Sequence, residues 1–184
     1  MNVFFDQDGV LGIYERDAYI GKDPIWKKPG SHYFSTVKPD HRAISLFNLL
    51  TDAPNVNTFV LTAINNIGPI YLEQIKDKIA WLKEHIPAIN IQKQFIPCVS
   101  PKSQTIQAVI SQTRTHMKPS DILIDDYNPN LNDWTAAGGT ALKYCNGLNS
   151  EKSYKGISLP ENMTSEEMTE LICTIDKTAL FNFR

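Results

Sequence analysis

The sequence predicts an α/β fold with a mainly parallel sheet, and two observations carry that prediction. Short apolar runs rich in β-branched and aromatic residues alternate along the chain with segments of helical periodicity. Strands separated by helices are joined by right-handed crossovers, which place them parallel in one sheet. The chain's 184 residues suffice for one domain with a real core, and we expect a single domain over 1–184 with a small lid at about 12–39.

Val3, Phe4 and Phe5 read as a first buried strand, which Asp6 ends, and Gly9 permits a tight turn just after it. Residues 12–39 then read as irregular, with Gly12, Gly21, Pro24, Pro29, Gly30 and Pro39 interleaved with Tyr14, Tyr19, Trp26, Tyr33 and Phe34. A connection of that length in a compact domain is often a lid or a binding loop. Asp40 is a good N-cap for a helix over 40–52, where Ile44, Phe47 and Leu50 have helical spacing. Residues 57–62 read as a second buried strand. A helix is expected over 69–85, opened by Pro69, with Ile75, Ile79 and Leu82 inward and Glu73, Lys76, Asp77 and Lys83 toward solvent. A strand over 91–98, a helix over 102–113 and strands over 121–125 and 140–144 follow. The pattern Thr164-Ser165-Glu166-Glu167 is a capping box opening a last helix over 165–177.

Composition narrows the function classes. With 42% apolar and 21% charged residues the chain is an ordinary globular one. A net charge of −2 and a pI near 6.1 argue against nucleic-acid binding by bulk electrostatics. No apolar stretch approaches the roughly 18 residues of a membrane span, and the N-terminus enters a strand without a leader pattern. Cys98, Cys145 and Cys173 are odd in number and form no zinc pattern, so reduced thiols and a cytoplasmic location are expected. His32, His41, His85 and His116 are scattered and read as surface or helix-end residues.

In a parallel sheet, ligands bind outside the carboxyl ends of the strands. The residues expected there are Asp6 and Asp8, Thr62, Lys102 and the pair Asp125 and Asp126. Carboxylates crowded at one rim repel each other, and a divalent cation relieves that cost. Each feature also has a plainer reading. Asp6 to Gly9 suits a solvated acidic turn, Thr62 suits a strand end, and Asp125 to Asn128 suits an Asx turn. The convergence of all of them is what singles out the rim.

These residues resemble the motifs of the haloacid dehalogenase-like (HAD) hydrolases, in order over about 120 residues. Asp6-Gln7-Asp8-Gly9-Val10-Leu11 is similar to motif I, and Thr62 in Val60-Leu61-Thr62-Ala63 to motif II. Lys102 in Ser100-Pro101-Lys102-Ser103 is similar to motif III, with Lys93 a weaker competitor, and Asp125-Asp126 to motif IV. Residues 124–130, with Trp134 and Gly138-Gly139, further resemble the 5′(3′)-deoxyribonucleotidase group, although 12–39 is shorter than that group's helical cap.

The resemblance implies a three-layer Rossmann-like core with a small cap after the first strand, and a Mg²⁺-dependent phosphatase acting on a small phosphorylated substrate such as a nucleotide. It makes Asp6 the nucleophile and Asp8 the general acid and base. Thr62 and the Ala63 amide would bind phosphate, and Lys102 would hold Asp6 and the phosphate together. The implied metal ligands are the Asp6 carboxylate, the Asp8 carbonyl and a motif IV carboxylate; Asp126 is favoured as the direct one with Asp125 through water, and the sequence leaves the choice between them open. Trp26, Tyr33 and Phe34 could stack on a base or simply form the lid's core. Asn65 and Asn66 could contact substrate or only shape a loop. A non-catalytic ligand-binding protein stays open as another reading. So does a polynucleotide end phosphatase, for which Lys22, Lys27 and Lys28 would supply a basic patch.

Overall fold

The sheet is built outward from its first strand. In the computed structural model, β1 (Asn2–Phe5) lies between β4 (Asn57–Ala63) and β6 (Asp121–Asp125), parallel to both. β5 (Phe95–Cys98) flanks β4, while β7 (Thr140–Tyr144) and β8 (Ile157–Leu159) extend the other side. The order is β5-β4-β1-β6-β7-β8 with every neighbouring pair parallel. The chain moves away from β1 in one direction, then returns to build the other half, so strand order reverses between β1 and β6. A crevice opens at such a switch point. The structure describes residues 1–14, 24–111, 113, 115–148 and 153–181, the last six of them for backbone only.

Side chains alternate across the pleat, which separates two cores. Val3 and Phe5 pack with Leu46, Phe47 and Leu50 of α2 (His41–Asp52), Trp81 and Leu82 of α3 (Gly68–His85), and Met168 and Ile172 of α7 (Ser165–Phe181). Phe4 points the other way, to Ile106 of α5 (Lys102–Ile110) and Leu131 and Trp134 of α6 (Asn128–Ala136). The result is the expected three-layer α/β arrangement. Asp40 caps α2 by accepting from the amides of Arg42 and Ala43 at 3.0 and 3.2 Å. Thr164 and Glu167 form the reciprocal capping box at the start of α7.

Several expectations are corrected. Residues 91–98 are not one strand. Ile91–Gln94 forms a short helix, α4, before β5, because the Asn90 side chain accepts from the Lys93 amide at 3.3 Å and the Gln94 side chain returns to the Asn90 amide at 2.8 Å. These local polar closures outcompete strand pairing. The helix expected to reach 113 ends at Ile110, and the last helix runs on to Phe181. α6 and β8 had no expected counterpart. Between β1 and α2, β2 (Gly12–Ile13) pairs with β3 (Lys38–Pro39) at the base of a connection whose described part holds a 3-10 turn at Ile25–Lys27 and α1 (Tyr33–Thr36). Residues 15–23, including Tyr19, Gly21 and Lys22, lie outside the described residues. Among the described residues no helix is long and apolar enough to cross a membrane.

Candidate active site

The ends of β1 and β6 are tied together by the Asp6 amide, which donates to the Ile124 carbonyl at 2.9 Å. This places the Asp6 and Asp125 carboxylates beside each other at the switch point. Both are buried, so the solvated acidic turn is ruled out. Lys102, the first residue of α5, reaches between them, with Nζ 2.9 Å from Asp6 Oδ2 and 2.6 Å from Asp125 Oδ2. The structure brings Lys102 here, whereas Lys93 is exposed on α4. Burial pushes the Asp6 carboxyl up to about 8 against the pull of Lys102, and Asp125 and Asp8 add repulsion in the same direction as burial. Burial also opposes the charge on Lys102, but Asp125 and Asp6 override it and hold the ammonium above its ordinary range.

Asp6, Asp125 and Asp126 each offer an oxygen within 4.8 Å of the others. The donor set is all oxygen and buried, which fits a small hard cation such as Mg²⁺. The two motif IV carboxylates differ in their surroundings. Both Asp125 oxygens accept from the chain: Oδ1 from the Tyr127 amide at 2.8 Å, Oδ2 from Lys102 and from Asn130 Nδ2 at 2.9 Å. The Asx turn is therefore real, and it coexists with the site. Asp126 Oδ2 accepts from Asn146 Nδ2 at 2.9 Å, and the same amide donates to the Gly9 carbonyl at 2.6 Å. Gly9 has φ +81°, and a Cβ there would lie 2.3 Å from Asp126 Oδ2. The glycine thus serves both the left-handed turn and the passage of a carboxylate.

Asp8 stands apart from this cluster. Its Oδ2 accepts from the Thr62 hydroxyl at 3.3 Å and pairs with Lys78 Nζ. Lys78 also donates to Thr62 Oγ1 at 2.6 Å and to the Ala63 carbonyl at 3.1 Å. The structure therefore brings together Asp6, Lys102, Asp125 and Asp126 in one group and Asp8, Thr62, Ala63 and Lys78 in an adjoining one.

No protein-family model matches the chain, and no curated protein sequence matches it. Solved structures do. A D,D-heptose 1,7-bisphosphate phosphatase from Burkholderia thailandensis superposes with a TM-score of 0.58 at 13% identity, covering 92% of this chain and 97% of that one. The D,D-heptose 1,7-bisphosphate phosphatase from B. bronchiseptica, in complex with magnesium and phosphate, gives 0.59 at 15% identity, covering 94% and 98%. The chain shares the overall fold of these two phosphatases. Within this fold, the strand ends of β1, β4 and β6 carry Asp6, Thr62 and Asp125, and the start of α5 carries Lys102.

Lys78 is the residue that sequence reasoning missed. It is fully buried, and its helix face is not the expected one. Gln74, Asp77, Lys78 and Trp81 are buried on α3, whereas Ile75 and Ile79 are only half-buried. The connection between β1 and α2 is the reason. Its segment from Trp26 to Val37 lies along this stripe: Gln74 Nε2 donates to the Trp26 carbonyl at 2.9 Å, the Gly30 amide donates to Glu73 at 2.7 Å, and Trp81 Nε1 donates to the Val37 carbonyl at 2.6 Å. His32 Nδ1 lies 3.0 Å from Asp77. The signal available in the sequence was the i, i+4, i+7 spacing of Gln74, Lys78 and Trp81, which an apolar periodicity search passes over.

Phe34 is buried, with its ring 4.2 Å from Lys78 Nζ. Trp26 sits farther out, with ring centroids 6.4 Å from Tyr14 and 6.0 Å from Tyr33, and so belongs to the lid's aromatic core. Asn65 turns its amide to Gln74 Oε1 at 2.9 Å, which joins the motif II loop to α3. Trp134 Nε1 donates to the Asp121 carbonyl at 3.0 Å, and Gly139 gives that indole room, so both resemblance-bearing residues have a packing role. Lys143 is also fully buried, donating to the Asp126 carbonyl and, at 2.8 Å, to Asn128 Oδ1.

Proposed function

We propose that this protein is a Mg²⁺-dependent phosphatase that hydrolyses a small phosphomonoester through an aspartyl-phosphate on Asp6. The observation that carries the reading is Lys102 between Asp6 and Asp125, with Asp126 in the same buried oxygen cluster. Asp6 attacks phosphorus and the ester oxygen leaves with a proton from Asp8. Asp8 then takes a proton from the water that cleaves the acyl phosphate, and Asp6 is regenerated. Lys102 keeps Asp6 oriented and balances charge on the phosphoryl oxygens. Asp6, the Asp8 carbonyl and Asp126 would hold Mg²⁺, and Asp125, whose oxygens are taken by chain donors, orients from the next layer. The metal supplies electrostatic stabilisation to the phosphoryl group. Thr62 and Ala63 bind the phosphate, with Asn65 at the edge of the same loop.

Within this class we favour a nucleoside monophosphate, because residues 124–130 resemble the deoxyribonucleotidase group and half-buried Trp26, at the edge of the lid's aromatic cluster, would offer its ring to a base. The protein would act as a single domain with this lid. The thiols of Cys98, Cys145 and Cys173 suit a reducing, cytoplasmic setting. The test is turnover of p-nitrophenyl phosphate and of a panel of nucleotides, sugar phosphates and oligonucleotide ends, with Mg²⁺ and with chelator. Asp6→Asn should abolish activity. Turnover that survives this substitution removes the assigned nucleophile, and a preference for sugar phosphates removes the nucleotide.

A further inference from the structure

Lys78 has a role that the two-carboxylate chemistry does not call for. A buried lysine in mid-helix is costly unless its charge is matched, and here Nζ is enclosed by the Asp8 carboxylate, Thr62 Oγ1 at 2.6 Å, the Ala63 carbonyl at 3.1 Å and the Phe34 ring at 4.2 Å. An ammonium has three donors, and three oxygens use them. Thr62 Oγ1 accepts from Lys78, so its single proton turns to Asp8 Oδ2 at 3.3 Å. The proton carrier and the phosphate-binding hydroxyl are therefore closed on each other around one cation.

A phosphate entering this corner must open that network. Its oxygens offer Lys78 a replacement acceptor of the same charge sign, so the ammonium can exchange carboxylate for phosphate without becoming unpaired. Asp8 is then released toward the leaving-group oxygen. We propose that Lys78 is a second phosphate-binding lysine whose transfer from the Asp8 carboxylate to a substrate phosphate oxygen frees Asp8 for proton transfer. This rests on the phosphatase reading and adds a substrate contact to it. Lys102 does not release Asp8, because its ammonium is held between Asp6 and Asp125.

The test uses inorganic phosphate with Mg²⁺ present, read as thermal stabilisation and as competitive inhibition. Lys78→Met should weaken phosphate binding roughly 10- to 100-fold, the range for a lost charge-assisted hydrogen bond, and KM should rise with it. A folded variant whose phosphate affinity stays within about threefold of wild type overturns the proposal, because losing both the contact and the cation's charge must weaken binding; the crystal of wild type with Mg²⁺ and phosphate tells the contact from the charge. Should Lys78→Met not fold, a wild-type crystal with Mg²⁺ and phosphate decides. Nζ within about 3.2 Å of a phosphate oxygen supports the exchange, and Nζ still on Asp8 beside a bound phosphate refutes it. Wild-type protein that binds phosphate through Lys78 yet hydrolyses no ester removes the proposed activity and leaves this contact standing.

Discussion

Replacing Lys102 with methionine should make the protein less stable and less active while making it bind Mg²⁺ more tightly. Lys102 Nζ is buried 2.9 Å from Asp6 and 2.6 Å from Asp125. Its loss leaves two buried carboxylates facing each other, with Asp6 keeping the Gln7 amide and Asp125 keeping Tyr127 and Asn130. Removing one partner of a buried pair costs about 3–5 kcal/mol. For a chain of this size that corresponds to a fall in Tm of roughly 6–20 °C in chelator. A divalent cation can take the place of the lost ammonium, so Mg²⁺ should recover much of the loss. With a competing cation gone, apparent Mg²⁺ affinity should rise about tenfold or more. One carboxylate can also escape by taking a proton, so the destabilisation should be smaller at pH 5 than at pH 8. Thermal melts in chelator and in Mg²⁺, with calorimetric titration of the metal, measure each part. Equal destabilisation in both conditions with unchanged Mg²⁺ affinity would refute the placement of the metal beside Lys102.

Two further outcomes are expected. Gly9→Ala meets a φ of +81° and an overlap with Asp126 Oδ2 at 2.3 Å. It should cost about 1–2 kcal/mol in backbone strain and, by displacing Asp126, lower turnover by roughly 100-fold; a Mg²⁺-dependent melt and a steady-state assay check both. His32 is raised above its ordinary 6.5 by its hydrogen bond to Asp77, then by the charges of Asp77 and Glu73. The latch it forms on α3 is therefore fully present below pH 6.5 and is lost as pH rises through the higher folded value. Hydrogen exchange in residues 24–36, corrected for the intrinsic rise of amide exchange with pH, should accelerate over that window in wild type but not in His32→Asn.

The parts legible in the sequence were those with local signatures. Val3 to Phe5 and Ile122 to Ile124 announce buried strands by composition, and a polar residue must follow where such a strand leaves the core. That is why Asp6, Thr62 and Asp125 could be placed at one rim before any contact was known. The capping residues Asp40 and Thr164 were legible for the same local reason. Residues 91–94 were misread because Asn90 and Gln94 close a turn through side chains, which an apolar pattern does not record. The α3 face was misread because its inward residues are chosen by the lid and by Asp8, both distant in sequence. Gln74, Asp77 and Lys78 look like a solvated face until the segment from Trp26 to Val37 is laid on them.

Charge accounting ties the legible residues to the hidden ones. Asp6, Asp8, Asp125 and Asp126 converge on the rim, and the fold brings three buried lysines to meet them: Lys102 between Asp6 and Asp125, Lys78 on Asp8, and Lys143 behind the Asp126 carbonyl. With Asp6 ionised, as it is above about pH 8, four negative charges against three positive leave the rim one negative. A dianion would be repelled from such a site. A divalent cation reverses the sign to one positive, and a phosphate dianion then returns it to one negative. On the proposed activity the buried lysines would therefore set the order of events, with metal preceding substrate, and they would do so from helix and strand positions where a lysine is otherwise read as a surface residue. Phosphate should bind poorly in chelator and well once Mg²⁺ is present, a difference that titration of phosphate in the two conditions measures directly. Equal phosphate affinity with and without metal would mean that the rim's charge is not set in this way.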